Sequence, residues 1–367
     1  MNENQNTPID ENFEAYVKRK RFKNIRAYIA LALTVILLIS ALIVALVYQS
    51  DDTVVNDSSV ESVPEQSEES VVTESSEEIS EAESSEEDQE EEYFPVINVV
   101  TPQGVTAAAI YEAGSLHSVY SYNADMQLSI ASITKLITAS VAIKYMPLDS
   151  VITVGSELSL VKYDSSVCGL KRGYQLTLEQ LLHGLLMSSG NDAAYTVAVN
   201  VARYVSDNAE MSDNDAVNYF CGLMNELAAE IGASNSAFAN PEGWDDANNY
   251  STVSDLAIIS KFATENELIK QIVATPECTV TIVSGEQMKF RNSNFMLHED
   301  NQFYCPNVTG LKTGSTDNAG KCLVATVDID GFEYIAVVMG CPDELTRYSA
   351  MQSLIEYINQ YNLLKNA

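Results

Sequence analysis

From about residue 93 onward the sequence predicts a mixed fold, α/β (α+β): an antiparallel sheet flanked by helices, with an inserted helical subdomain. Three observations carry this expectation. A short hairpin pattern opens the region, apolar residues at helical spacing recur between 132 and 275, and strand patterns dominate from Thr279 to Met339. A last helical stretch follows, so the order is hairpin, helices, meander, helix. No internal repeat is visible.

The elements follow in order. Val105 to Tyr111 reads as a strand, Glu112-Ala113-Gly114-Ser115 as a turn and His117 to Tyr122 as the returning strand. A helix is expected from near Ser132 to about Lys144, and residues 146–176 read as loop with short strands. Helical spacing returns in Leu176–Met187, Ala193–Val205, Ala216–Ile231, Ser254–Thr264 and Glu267–Thr275. Strands are expected at Thr279–Val283, Gln287–Phe290, Gly310–Gly314, Cys322–Ile329 and Phe332–Met339, with Asp330-Gly331 as a two-residue hairpin turn. An amphipathic helix over Glu344–Leu364 completes the domain, which spans 95–367.

Three segments precede it. Residues 1–26 are polar and end in the basic cluster Lys18, Arg19, Lys20, Arg21, Lys23 and Arg26. Ala27 to Tyr48 is a run of 22 uncharged, mostly apolar residues, long enough as a helix to cross a bilayer. Basic residues before it and acidic ones after it place the N-terminus in the cytoplasm and the remainder outside. The run exceeds the apolar region of a cleaved signal peptide and offers no small-x-small site, so an uncleaved anchor is expected. Residues 49–94 are rich in Ser and Glu. Between 51 and 93 stand eighteen Asp or Glu and no Lys or Arg. Such a stretch buries too little apolar surface to fold, and is expected to act as a solvated spacer of about 35–40 Å or more.

The formal net charge of −32 argues against nucleic acid as a partner, since phosphates need basic patches. Six cysteines at irregular spacing form no C-x-x-C pair and no zinc pattern, and are expected to be mostly free, buried thiols.

Chemistry concentrates in three short stretches. In Ala131–Ala139, Ser132 and Lys135 stand three residues apart and share a helix face. A lysine deprotonated by burial can take the serine proton and create a nucleophile without histidine. At the helix start, backbone N–H groups would also favour a developing oxyanion. The tetrapeptide is weak alone, because Ser159-Leu160-Val161-Lys162 matches it too. In Leu181–Ala194, Ser189 and Asn191 lie between two apolar helices, placed to relay a proton and to orient an amide or Lys135. The other S-x-N matches, at 121–123, 206–208 and 212–214, read as turns or N-caps. In Val308–Ser315, Lys312 and Thr313 can hold a carboxylate, and Gly314 permits close backbone approach. His117, His183 and His298 are the only histidines, and no G-x-S-x-G elbow or H-E-x-x-H is present. His183, on an apolar helix, reads as a packed core residue.

Serine-lysine, serine-x-asparagine and lysine-threonine-glycine in this order resemble the signature of penicillin-binding proteins and serine β-lactamases. The chain resembles in particular the D-alanyl-D-alanine carboxypeptidases, the low-molecular-weight penicillin-binding proteins. Ala131–Ala139, Leu181–Ala194, Phe238–Gly243 with Tyr250–Ala257, and Gly310–Leu323 carry the likeness. The resemblance implies the penicillin-recognising fold and an acyl-enzyme on Ser132 with Lys135 as base. It further implies proton transfer by Ser189, substrate binding by Asn191, Lys312, Thr313, Gly314 and Ser315, and an oxyanion hole at the N–H groups of Ser132 and Ser315. Its implied partners are peptidoglycan stem peptides ending in D-Ala-D-Ala and β-lactams as covalent inhibitors. No metal or organic cofactor is implied.

The chain departs from the family pattern at Glu242 and Asn249, where members often have His. Many members also end in a second β-rich domain and an amphipathic membrane helix. Neither is expected after Leu364, which leaves tethering to the N-terminal segment. The rival within the same fold is a β-lactamase, which needs a group to activate water, and no Glu stands out for that in the sequence. The rival from another class is an inactive module sensing peptidoglycan or β-lactams. Intact Ser132, Lys135, Ser189 and Lys312 argue against it.

Overall fold

The computed structural model describes residues 102–365. The expected basic tail, membrane span at 27–48 and acidic spacer at 49–94 lie outside the described residues. Among the described residues no helix is long and apolar enough to cross a membrane.

One five-stranded antiparallel sheet organises the domain, in the order β2-β1-β9-β8-β7. β1 (Ala107–Glu112) and β2 (Ser118–Tyr122) form the opening hairpin. β7 (Lys312–Thr316), β8 (Gly320–Ile329) and β9 (Phe332–Cys341) return to it at the end of the chain, with β9 paired to β1 over Ala107–Glu112. Helices cover both faces, which is why the central strands read as unbroken apolar runs. On β9, Ile335, Val337 and Met339 join one core, while Tyr334, Ala336 and Val338 join the other. Asp330 and Gly331 at the β8–β9 turn both have positive φ, 56° and 85°, as a tight hairpin turn requires.

The second face is covered by the last helix, α7 (Glu344–Lys365), through Tyr348, Met351, Leu354, Ile355 and Ile358. The first face carries the helical subdomain, built around α1 (Lys135–Tyr145). All eight positions from Lys135 to Ala142 are buried, since α1 runs between other helices rather than along the surface. Around it pack α2 (Leu178–Leu186), α3 (Asn191–Val205), α4 (Asp213–Glu230) and α5 (Val253–Thr264), with α6 (Glu267–Ala274) beyond. Side-chain caps set several of these starts. Thr177 and Gln180 form a capping box on α2, and Ser212 and Thr252 accept from the amides of Asp215 and Asp255.

Three features differ from expectation: the placing of one hairpin, the turn at Ser132 and the burial of His183. The expected strands near 280 and 290 form a separate hairpin, β5 (Glu277–Thr281) with β6 (Gln287–Arg291). It presents one face to the helical core through Met288 and Phe290 and the other to solvent. The short strands expected in the stretch after 146 are β3 (Val151–Thr153) and β4 (Gln175–Thr177), which pair with each other. Ser132 does not begin an α-helix. It sits in a 3-10 turn, Ala131–Thr134, opened by a positive φ of 49° at Ala131, and α1 starts only at Lys135. His183 is half-buried rather than packed in the core, its Nδ1 3.0 Å from the Glu179 carbonyl. All six cysteines are free; Cys221, Cys322 and Cys341 are buried, and Cys168, Cys278 and Cys305 are half-buried.

Leu354 seals α7 against the sheet and is 1% exposed. Leu354→Ala should cost about 2–5 kcal/mol of stability, read as a lowered midpoint in chemical denaturation.

Candidate active site

Three parts of the fold converge on the turn that carries Ser132: the start of α1, the α2–α3 junction and strand β7. The loop at 240–245 closes the arrangement. Two glycines allow the approach. A Cβ on Gly243, whose φ is +90°, would stand 1.8 Å from the carbonyl oxygen of Ala131, and one on Gly314 would stand 2.7 Å from that of Ile130. Asn240 shapes the loop around Gly243 by accepting from the amides of Gly243 and Trp244 at 2.7 and 3.0 Å. Thr138 of α1 donates to the Pro241 carbonyl at 2.7 Å.

Lys135 is fully buried. Its ammonium donates to Ser132 Oγ at 2.8 Å, to Asn191 Oδ1 at 2.7 Å and to the Glu242 carbonyl at 2.7 Å. Burial lowers its pKa to about 7, against the opposing pull of the Glu242 and Asp192 carboxylates. When the amine is neutral, two N–H groups still serve Asn191 and Glu242, and the lone pair is left to face the Ser132 hydroxyl. Asn191 is therefore a partner of the lysine, and it is the first residue of α3 rather than part of the link before it.

Opposite stands a second buried amine. Lys312 donates to Ser189 Oγ at 3.0 Å and to the Thr313 carbonyl at 2.9 Å. Burial, then the nearby charges of Lys135 and Arg347, hold its pKa well below the usual lysine range. Ser189 has a positive φ of 57°, which turns the chain sharply between α2 and α3. Thr313 Oγ1 lies 2.7 Å from Ser293 Oγ, while Ser315 is exposed and accepts from Lys321 at 2.7 Å. Behind Asn191, the buried Asp192 carboxylate accepts from the amides of Cys168, Gly169 and Leu170 and so fixes the loop before them.

The structure thus brings Ser132, Lys135, Ser189, Asn191, Lys312, Thr313, Gly314 and Ser315 to one place. The rival pair is not assembled. Ser159 is exposed, and Lys162 lies over the Trp244 ring at 4.5 Å. A small cavity of about 60 Å³ beside Ser132 is lined also by Ser165, Ser166, Asn191, Glu242, Trp244 and Ser315. Glu242, Trp244 and Ser293 are the residues that the sequence reading did not assign. Only Glu242 carried a signal, as a departure from the family pattern. Asn249, the other departure, is buried, accepts from the Ala239 amide and donates to Thr134 Oγ1, which holds the 239–243 loop to the nucleophile turn.

A serine paired with a buried lysine, faced by a second serine-lysine pair, defines a hydrolase or transferase working through an acyl-serine. The profile of peptidase family S11, D-alanyl-D-alanine carboxypeptidase, matches residues 101–343, and the chain belongs to that family. It is 27% identical over 260 residues to D-alanyl-D-alanine carboxypeptidase DacF of Bacillus subtilis, covering 70% of this chain and 62% of the relative. It is 30% identical over 244 residues to DacC of Escherichia coli, covering 64% and 56%. The chain thus spans less than two thirds of the length of these two relatives. The crystal structure of the Streptomyces K15 DD-transpeptidase superposes with a TM-score of 0.64 at 28% identity, over 71% of this chain and 98% of that one. The mixed α/β fold is that of these enzymes.

Gly243→Ala should displace the nucleophile turn and cost about 1–3 kcal/mol or more. Gly222, exposed on α4 with nothing near its missing Cβ, is the control: Gly222→Ala should gain about 0.5–1 kcal/mol. Thermal denaturation of both variants checks the contrast.

Proposed function

We propose that this chain is a serine-type D-Ala-D-Ala carboxypeptidase that removes the terminal D-alanine from peptidoglycan stem pentapeptides. The observation that carries the reading is the fully buried Lys135 amine bonded to Ser132 Oγ at 2.8 Å. Neutral Lys135 takes the Ser132 proton as Oγ attacks the carbonyl carbon of the penultimate D-alanine. The oxyanion is met by the N–H groups of Ser132 and Ser315, donors of a kind worth about 3–4 kcal/mol in other serine hydrolases. Ser189, held by Lys312, passes a proton to the leaving D-alanine, whose carboxylate lies against Lys312 and Thr313. The proton that Lys135 took from Ser132 replaces the one Ser189 gives up, which returns Lys135 to the neutral amine. Water then releases the shortened peptide from Ser132. β-Lactams would acylate the same serine.

In this reading the segment 27–48 anchors the protein in the bacterial membrane, and the acidic segment holds the catalytic domain away from it on the outer side. Trimming pentapeptides there would limit cross-linking of the wall.

The wild-type protein should release D-alanine from an acyl-Lys-D-Ala-D-Ala peptide, and Ser132→Ala should release none. Absence of release by the wild type, or fast hydrolysis of benzylpenicillin, would overturn the reading. Because only the neutral amine accepts the serine proton, acylation should rise with pH to about 7 and level off above it. The rate of labelling by a fluorescent penicillin between pH 5 and 9 measures this limb.

A further inference from the structure

Hydrolysis of an acyl-serine needs a base for the incoming water, and the sequence offered no group for it. The cavity beside Ser132 does. Glu242 is in its wall, and its side chain is 1% exposed. One carboxyl oxygen, Oε1, accepts from the Tyr195 hydroxyl at 3.0 Å. The other, Oε2, is buried and has no hydrogen-bond partner among the described residues. A buried carboxylate oxygen without a donor is costly and needs an explanation. Ser165, in the same wall, also has a buried Oγ without a partner. Two unsatisfied polar atoms around a cavity of about 60 Å³, next to the nucleophile, are what a bound water requires.

We propose that Glu242 is the base that activates water to hydrolyse the acyl group on Ser132. The inference rests on the carboxypeptidase reading and adds a catalytic residue to it. Glu242 takes a proton from water as the hydroxide forms a bond to the acyl carbonyl carbon. The tetrahedral intermediate collapses, the bond from carbon to Ser132 Oγ breaks, and Oγ takes up the proton held by Glu242, passed through the neutral Lys135 amine. Glu242 returns to the carboxylate and Lys135 to the neutral amine, so the cycle closes with one water consumed. Lys135 Nζ donates to the Glu242 main-chain carbonyl, which keeps the two residues side by side, and the carboxyl is near enough for each to shift the other's charge. Burial raises the carboxyl pKa from its ordinary value, opposed by Lys135, the Tyr195 hydrogen bond and Lys162, and a raised pKa makes the carboxylate a stronger base. Tyr195, on α3, is a positioning residue: it fixes Oε1 and leaves Oε2 to the water.

The test follows D-alanine release and the intact mass of the protein after mixing with an acyl-Lys-D-Ala-D-Ala peptide. Glu242→Gln should release about one D-alanine per enzyme in a burst and then turn over on the order of 100-fold or more slower than wild type. The acyl adduct should persist on Ser132 in its mass spectrum. Tyr195→Phe, which keeps the carboxyl, should accumulate the same adduct with a smaller slowing, and it serves if Glu242→Gln does not fold. Unchanged turnover with no adduct in either variant would overturn the proposal. So would a folded Glu242→Gln that loses the burst itself, because the carboxyl would then act on acylation through Lys135. A wild-type protein that forms no adduct and releases no D-alanine would instead overturn the carboxypeptidase reading, and the inference with it.

Discussion

An ammonium sealed from water is stable only where acceptors surround it, and Lys135 has three, from three separate parts of the chain. Ser132 lies next to it in sequence, Asn191 begins another helix, and Glu242 belongs to a loop beyond both. The single amine therefore ties the nucleophile turn, the helical subdomain and the 240–245 loop into one unit. Its burial is also what makes it chemically useful, since desolvation is the largest influence on its pKa. Structure and reactivity rest on the same three contacts.

Two further buried charged residues, Lys312 and Asp192, stand near this one. Lys312 stands close enough for the charge of Lys135 to lower its pKa further, beyond the effect of burial. Asp192, with three backbone amides already donating to it, adds negative potential on the opposite side. The site thus mixes two amines of depressed basicity with carboxylates held in fixed positions, an arrangement that moves protons at little cost.

Much of the fold was legible because its signals are local. Helix periods, the Asp330-Gly331 turn and the strand runs of β8 and β9 each lie within one window of sequence. The pairing of Ser132 with Lys135 was legible for the same reason, since three residues separate them. The 3-10 turn was not, because it depends on a positive φ at Ala131 and on two distant glycines, one in a loop and one on β7, pressing against it. The separate β5–β6 hairpin was not, because an alternating pattern does not say which sheet a strand joins. Glu242 was visible only as an anomaly. Its place beside Lys135 is set by contacts across 107 residues, and its free oxygen exists only in three dimensions.

The way Gly243 and Gly314 meet the nucleophile turn has an evolutionary consequence. Main chain as well as side chains sets the position of Ser132, as the two glycines rest directly on the backbone at Ile130 and Ala131. Residues around the cavity mouth are therefore free to vary in size and charge without moving the reactive oxygen. A lineage built this way can change what it accepts, or how fast it lets go, by substitutions at positions such as 242 or 244 while the reaction centre stays in place.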